Sequence, residues 1–206
     1  MSLINREIEL RSEIPLEKRE FIERKIVSQF LSSSFDDRVS VLFLGIINQI
    51  NFDIRVRANS KRHAEVVLKR GDFHTHDRTE TIQQIKPEQF FGFVKIFNAL
   101  SFDSKVMRRQ TKRFVSKSDN CEIALVNAGP ISYIEVERVI NTEDGKLIEW
   151  EREQLGGILG EFGLLPIDKD QFDDLCKRLT EKVDWIFTGS KNDYTRLESE
   201  LKSLWQ

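Results

Sequence analysis

The sequence is poor in the residues that staple or interrupt a chain: 2 cysteines, 4 prolines and 10 glycines in 206 residues. The two cysteines, Cys121 and Cys176, lie far apart without a C-x-x-C partner, which excludes a disulfide framework and a thiolate zinc site. They are expected to be reduced and mostly buried. With no low-complexity tract and no internal period, solenoid and disordered architectures fall away as well. Long apolar runs are missing. The stretch Val41-Leu42-Phe43-Leu44-Gly45-Ile46-Ile47 stops far short of the ~20 residues that span a bilayer, so no membrane association is expected. The opening Met-Ser-Leu-Ile-Asn-Arg-Glu has no apolar segment behind a basic head and no small-residue cleavage site, so the expected location is cytoplasmic. Charge of one sign is absent too: 32 Lys+Arg against 34 Asp+Glu leave −2. That excludes an unspecialised binder of duplex nucleic acid and requires any anion site to come from local placement.

What the chain does have is charge in quantity, 32% of residues against about 25% in an average globular protein. Its length fits one domain, 1–206, with a core of its own. Residues 5–12 alternate Glu7, Glu9, Arg11 with Ile8, Leu10, the period of a strand with one apolar side. Leu16 to Leu31 carries apolar residues at helical spacing after Pro15. Strands are predicted at Val39–Ile46, Phe52–Ala58, Ala64–Arg70, Arg78–Ile85, Val106–Val115, Cys121–Val126 and Ser132–Ile140. A second helix is predicted over Pro87–Leu100, and Ser32-Ser33-Ser34 reads as a linker. Helices near Ile148–Phe162, Lys169–Thr180 and Asp193–Leu204 make a helical C-terminal third that covers a sheet edge or end. The expected class is α+β, with about eight antiparallel strands.

The polar faces of these strands hold charges two residues apart. Glu7 and Glu9 share a face with Arg11; Glu135 and Glu137 form a second acidic pair; Arg55 and Arg57 join Asp53; Lys69 lies with Val67 and Glu65. Over residues 108–113 the face is either Arg109, Thr111 and Arg113 or Arg108, Gln110 and Lys112. A plain sheet with one side in water accommodates any single strand of this kind, its cross-strand ion pairs contributing less than about 1 kcal/mol each. Taken together the strands argue otherwise, because carboxylates ~7 Å apart along a strand repel and stabilise no sheet. A closed barrel with these faces inward would enclose glutamates suited to Mg²⁺ or Mn²⁺ and Arg/Lys groups suited to phosphate oxygens.

Glu7-Ile-Glu9-Leu-Arg11 resembles the E-x-E-x-K signature that opens CYTH domains, the triphosphate tunnel metalloenzymes. Later stretches follow the same order. Arg55-x-Arg57 is similar to the family's R-x-R strand, Leu68-Lys69-x-Gly71 to its lysine strand and Arg78-x-Glu80 to its R-x-E strand. Ile134-Glu135-Val-Glu137 resembles its late E-x-E strand, and Lys191-Asn-Asp-Tyr194 its C-terminal lysine at a helix start. The resemblance implies a closed eight-stranded antiparallel barrel and a metal-dependent triphosphatase acting on inorganic triphosphate, thiamine triphosphate or a nucleotide. It implies Glu7, Glu9, Glu135 and Glu137 as Mg²⁺ or Mn²⁺ ligands, with Glu80 near a second ion, and catalytic roles for Glu7, Glu9, Glu80 and Glu137. Arg11, Arg55, Arg57, Lys69, Arg78, Arg109, Arg113 and Lys191 would hold phosphate. The family also contains adenylyl cyclases, which turn ATP into cyclic AMP and pyrophosphate. A different class is a non-catalytic module gripping a polyphosphate, a nucleotide or an RNA 5′ triphosphate end.

Three departures stand out. Position 11 is arginine, a fork in place of a point donor; the basic strand over 108–113 has two readable registers; and Asn127, in Leu125-Val126-Asn127-Ala128-Gly129, stands where family members often carry aspartate and cannot act as a base. His74-Thr-His76 is read as a solvated loop pair without a third ligand, Gly156-Gly157-x-x-Gly160 as helix glycines without a Walker lysine, and Phe90, Phe91, Phe93 and Phe97 as core.

Overall fold

The structure of the chain, a computed structural model, describes residues 6–71, 79–116 and 121–206, with the side chains of Arg6, Glu7, Ser32 and Ser33 left aside. The elements run β1 (Arg6–Glu13), α1 (Arg19–Gln29), β2 (Leu31–Ile47), β3 (Ile50–Asn59), β4 (Ala64–Arg70), β5 (Thr79–Ile85), α2 (Phe90–Asn98), β6 (Asp103–Val115), β7 (Cys121–Ala128), β8 (Ile131–Ile140), α3 (Gly145–Glu161), α4 (Lys169–Lys182), β9 (Trp185–Ile186) and α5 (Lys191–Leu204). Every ladder with a described register is antiparallel.

The chain divides into two compact units. The first comprises Met1–Phe35 with Gln110–Lys177, the second Asp36–Arg109 with Arg178–Gln206. Each has its own core. In the first, Ile8 of β1, Phe114 of β6, Ile123 and Leu125 of β7, and Ile134 and Val136 of β8 present one apolar face. Ile22 and Ile26 of α1 and Ile148, Leu155 and Leu159 of α3 close over that face, at the four- and seven-residue spacings that put them on one helix side. In the second, Val39, Val41 and Phe43 of β2 and Ile54, Val56 and Ala58 of β3 pack beneath Phe90 and Val94 of α2 and Leu197, Leu201 and Leu204 of α5. Each fully buried leucine or phenylalanine contributes about 1.5–3 kcal/mol.

Local chemistry sets the boundaries. Asp144 caps α3 by accepting from the Lys146 amide at 2.9 Å, and Ser190 and Asp193 form a capping box at α5. The β7–β8 hairpin turns through Gly129 at φ +57, with Ala128 opposite Ile131; a two-residue loop needs that positive φ, which glycine adopts without strain.

Several sequence expectations change. The closed barrel is corrected: the strands pair in the open order β1-β8-β7-β6-β2-β3-β4-β5, with β9 on β6, so β1 and β5 end the order instead of pairing with each other. Alternation along a strand states which side faces a core and carries nothing about whether the last edge finds the first. Ser32 to Ser34 lie inside the long strand β2, where ladder pairing overrides the turn preference of serine. The helix predicted from Leu16 is a 3-10 turn over Leu16–Lys18 followed by α1, and the short β9 had no periodic signal at all. Cys121 and Cys176 are free thiols, the first buried. Among the described residues no helix is long and apolar enough to cross a membrane.

Candidate functional site

The side of the first unit's sheet away from its core is charged. Glu9 of β1 stands directly opposite Glu137 of β8, which stands opposite Glu122 of β7, so three glutamates form one row across three strands. The adjacent row reads Arg11, Glu135, Ala124 and, on β6, Arg113. Directly opposed residues share a face with Cβ atoms about 4.5–5.5 Å apart, and like charges so placed are destabilising. The arginines supply the compensation. Arg11 reaches Glu9 at 2.6 Å and Glu135 at 2.9 Å, and its guanidinium carbon stacks 4.8 Å from the Phe172 ring centroid. Arg113 pairs with Glu122 and lies 3.8 Å from Glu137. Burial pushes the Glu135 carboxyl upward, yet Arg11 beside it, a hydrogen bond from the Glu9 side and Arg113 hold it below the ordinary carboxylate value. For Arg11, burial works against the charge and Glu9 and Glu135 outweigh it, so its pKa is raised.

In these two rows two guanidiniums stand against four carboxylates, so the rows are net negative. The donor set suits a divalent cation, since carboxylate oxygens are the hard ligands that Mg²⁺ and Mn²⁺ take. It is not gathered around a point: among the described residues, no group of three or more His, Cys, Asp or Glu is arranged to hold a metal ion. The residues therefore fit a cation in type and charge, with their oxygens turned to Arg11 and Arg113.

The second unit's open face has another character. Asp53, Arg55 and Arg57 alternate along β3. Asp53, wholly buried, accepts from Arg55 Nε at 2.8 Å and Nη2 at 2.6 Å, a two-point pair that fixes the guanidinium plane. Lys69 of β4 lies opposite Asp53 and pairs with Glu80 of β5 at 2.6 Å. Arg57 meets Glu65 of β4 at only 3.3 Å, and Glu65 is shared with the Gln84 amide at 3.0 Å. Burial lowers the Arg57 pKa, and Arg38 and Arg55 lower it further, to about 10.

The predicted residues thus separate. Glu9, Arg11, Arg113, Glu135 and Glu137 come together on the first unit's face; Arg55, Arg57, Lys69 and Glu80 on the second's, where Glu80 pairs with Lys69. Arg109 is bound elsewhere: its Nη1 and Nη2 donate to Asp184 at 2.7 and 3.0 Å, and both side chains are buried. Lys105 reaches the same carboxylate at 3.3 Å. Lys191 is the exposed first residue of α5. Glu7 pairs opposite Val139 in β1, but its side chain, like Arg78, His74 and His76, lies outside the described residues.

Asn127 turns out to sit on the other face of β7, with Ile123 and Leu125, accepting a hydrogen bond from the Ser132 hydroxyl at 2.8 Å. It replaces nothing in the charged row. The residue missed from sequence is Glu122, whose signal was there: it is the one charge in the otherwise apolar and neutral strand Cys121–Ala128. Arg38 of β2, one row beyond the Ser40–Arg57 pair, was missed as well.

No family model and no curated protein matches the chain. Solved structures do. The protein PH1819 of Pyrococcus horikoshii OT3 superposes with a TM-score of 0.64 at 16% identity, over 84% of this chain and 99% of that one. PH1012 of the same organism gives 0.54 at 16%, over 77% and 90%. A protein of Vibrio parahaemolyticus assigned provisionally as an adenylate cyclase gives 0.56 at 13%, over 80% and 94%. Likeness at such identities speaks for the fold alone.

Proposed function

We propose that the chain, acting as one CYTH-like domain over 1–206, hydrolyses a small-molecule triphosphate with a divalent cation, Mg²⁺ or Mn²⁺. The observation that carries this reading is the row Glu9, Glu137 and Glu122 with Glu135 beside it, an arrangement that a cation relieves and that plain sheet stability does not favour. Arg11 and Arg113 on the same face complement it: phosphoryl transfer is promoted chiefly by positioning and by neutralising charge on phosphate oxygens.

In this reading Glu9, Glu122, Glu135 and Glu137 hold the cation, and Glu7 joins them by its place in the E-x-E motif. The cation, when bound, neutralises phosphate charge and lowers the pKa of a water. Arg11 and Arg113 exchange their carboxylate partners for phosphate oxygens, for which a guanidinium fork is equally suited. On the second unit's face Arg55, oriented by Asp53, and Arg57 and Lys69 are groups suited to phosphate oxygens. Arg78 and Lys191 are assigned to phosphate by motif alone. Arg109, spent on Asp184, anchors its segment instead.

Incubation with inorganic triphosphate, ATP and thiamine triphosphate, each with Mg²⁺ or Mn²⁺, tests the reading through its products. Orthophosphate released by the wild-type protein and lost in Glu9→Ala supports it. Cyclic AMP with pyrophosphate makes the protein a cyclase, and no product from any substrate overturns the enzymatic assignment.

A further inference from the structure

Arg57 of β3 uses little of its hydrogen-bonding capacity. Its residue surface is 8% exposed, and its Nε–H is buried without an acceptor. The contrast with Arg55, two residues earlier on the same strand, is one of partners: Arg55 has two short bonds to a buried carboxylate, Arg57 one contact of 3.3 Å to a carboxylate already engaged by Gln84. A buried donor left unmade costs free energy that folding does not recover, and an acceptor that arrives later relieves that cost.

The surroundings say which kind of acceptor. Ser40 of β2, itself buried, stands directly across the ladder from Arg57, and Arg38, two residues before Ser40, lies on the same face. Arg38 is only partly exposed, and its ion pair with Asp36 is long, at 3.8 Å. Arg38 and Arg55 both lower the Arg57 pKa, in the same direction as burial does. Like charges held together at partial burial are unfavourable until an anion enters between them.

We propose that Arg38 and Arg57, with Ser40 beneath them, form the seat of a terminal phosphate group, making Arg38 a substrate-binding residue in addition to the arginines of the R-x-R strand. The inference rests on the triphosphate reading and names the residues that hold one end of that substrate. A terminal phosphate offers three unshared oxygens and close to two charges, enough to serve two forks at once, whereas an internal phosphate offers two oxygens and one charge. Arg55 is held by two bonds to the buried Asp53. Lys69 is paired to Glu80 at 2.6 Å.

Calorimetric titration of the full chain with inorganic triphosphate, without metal so that nothing turns over, tests the seat. Arg38→Gln is expected to weaken binding about tenfold or more, the size of one charge-assisted contact, and Arg38→Lys to recover part of the loss. Wild-type affinity in Arg38→Gln overturns the inference and leaves the triphosphate reading standing. No binding of triphosphate by the wild-type protein, with or without Mg²⁺, overturns both. Should Arg38→Gln fail to fold, Arg38→Lys decides: affinity several-fold below wild type supports the seat, and unchanged affinity overturns it.

Discussion

The two units solve the same folding problem and leave different chemistry behind. Each lays helices on one side of an antiparallel sheet and keeps the other side charged, but the first faces outward with carboxylates in excess and the second with guanidiniums held in pairs or crowded. In the first, arginines sit between glutamates that would otherwise repel. In the second, Asp53 is buried to orient one arginine while its neighbour Arg57 is left underused. Charge content alone does not distinguish them; the row in which each charge stands does.

The largest effect should come from breaking the second unit's best pair. Asp53→Ala removes the buried carboxylate that takes two bonds from Arg55, at a cost of about 3–5 kcal/mol, measurable as a shift in the urea midpoint. A comparable loss in the first unit needs its core: Leu155→Ala, fully buried in α3, should cost about 2–5 kcal/mol. If Asp53→Ala proved nearly neutral, the contrast between a fixed Arg55 and a waiting Arg57 would collapse.

Next in size is the glutamate row. Glu122→Gln should weaken Mn²⁺ binding about tenfold, a loss of roughly 1.4 kcal/mol, whereas Glu65→Gln in the second unit should leave Mn²⁺ binding unchanged. Equal effects of the two would erase the division of labour.

The acid dependence follows from Glu135, whose folded-state pKa lies below its ordinary value of 4.5. A depressed carboxylate contributes stability that is present above the unfolded value and lost as pH falls through the folded one. The wild-type protein should therefore lose stability below about pH 4.5, and Glu135→Gln should start less stable at neutral pH and show a flatter acid limb; an identical limb would refute the assignment. Smallest of all, Lys202→Ala, which removes a solvent-exposed pair with Glu198, should move stability by no more than about 0.5 kcal/mol.

Much of this was legible in the chain. Alternation placed Glu9, Arg11, Glu135 and Glu137 on one side of their strands, because a strand with one buried face leaves no other choice. Helical spacing located α3 and α5, whose caps are also written in the sequence. Glu122 was overlooked because a lone charge in an apolar strand has no partner two residues away to announce it; only the β7–β8 register sets it beside Glu137. Asn127 was weighed as a lost base because its neighbours looked familiar, and one step of strand parity moves it to the opposite face. The 108–113 segment offered two faces, and ladder pairing together with Asp184 gave Arg113 and Arg109 separate duties.

The sequence by itself determined which residues alternate, where strands and helices fall, and that carboxylates and guanidiniums would collect on the polar sides, since these follow from local periodicity and from burial of one face. Tertiary structure alone decided that the strand order stays open, that two cores form, that three glutamates align in one row, and that Arg109 is spent on Asp184 while Arg57 keeps a donor in reserve. Those outcomes depend on register and on partners distant in the chain, and no local pattern encodes which distant residue comes to stand opposite.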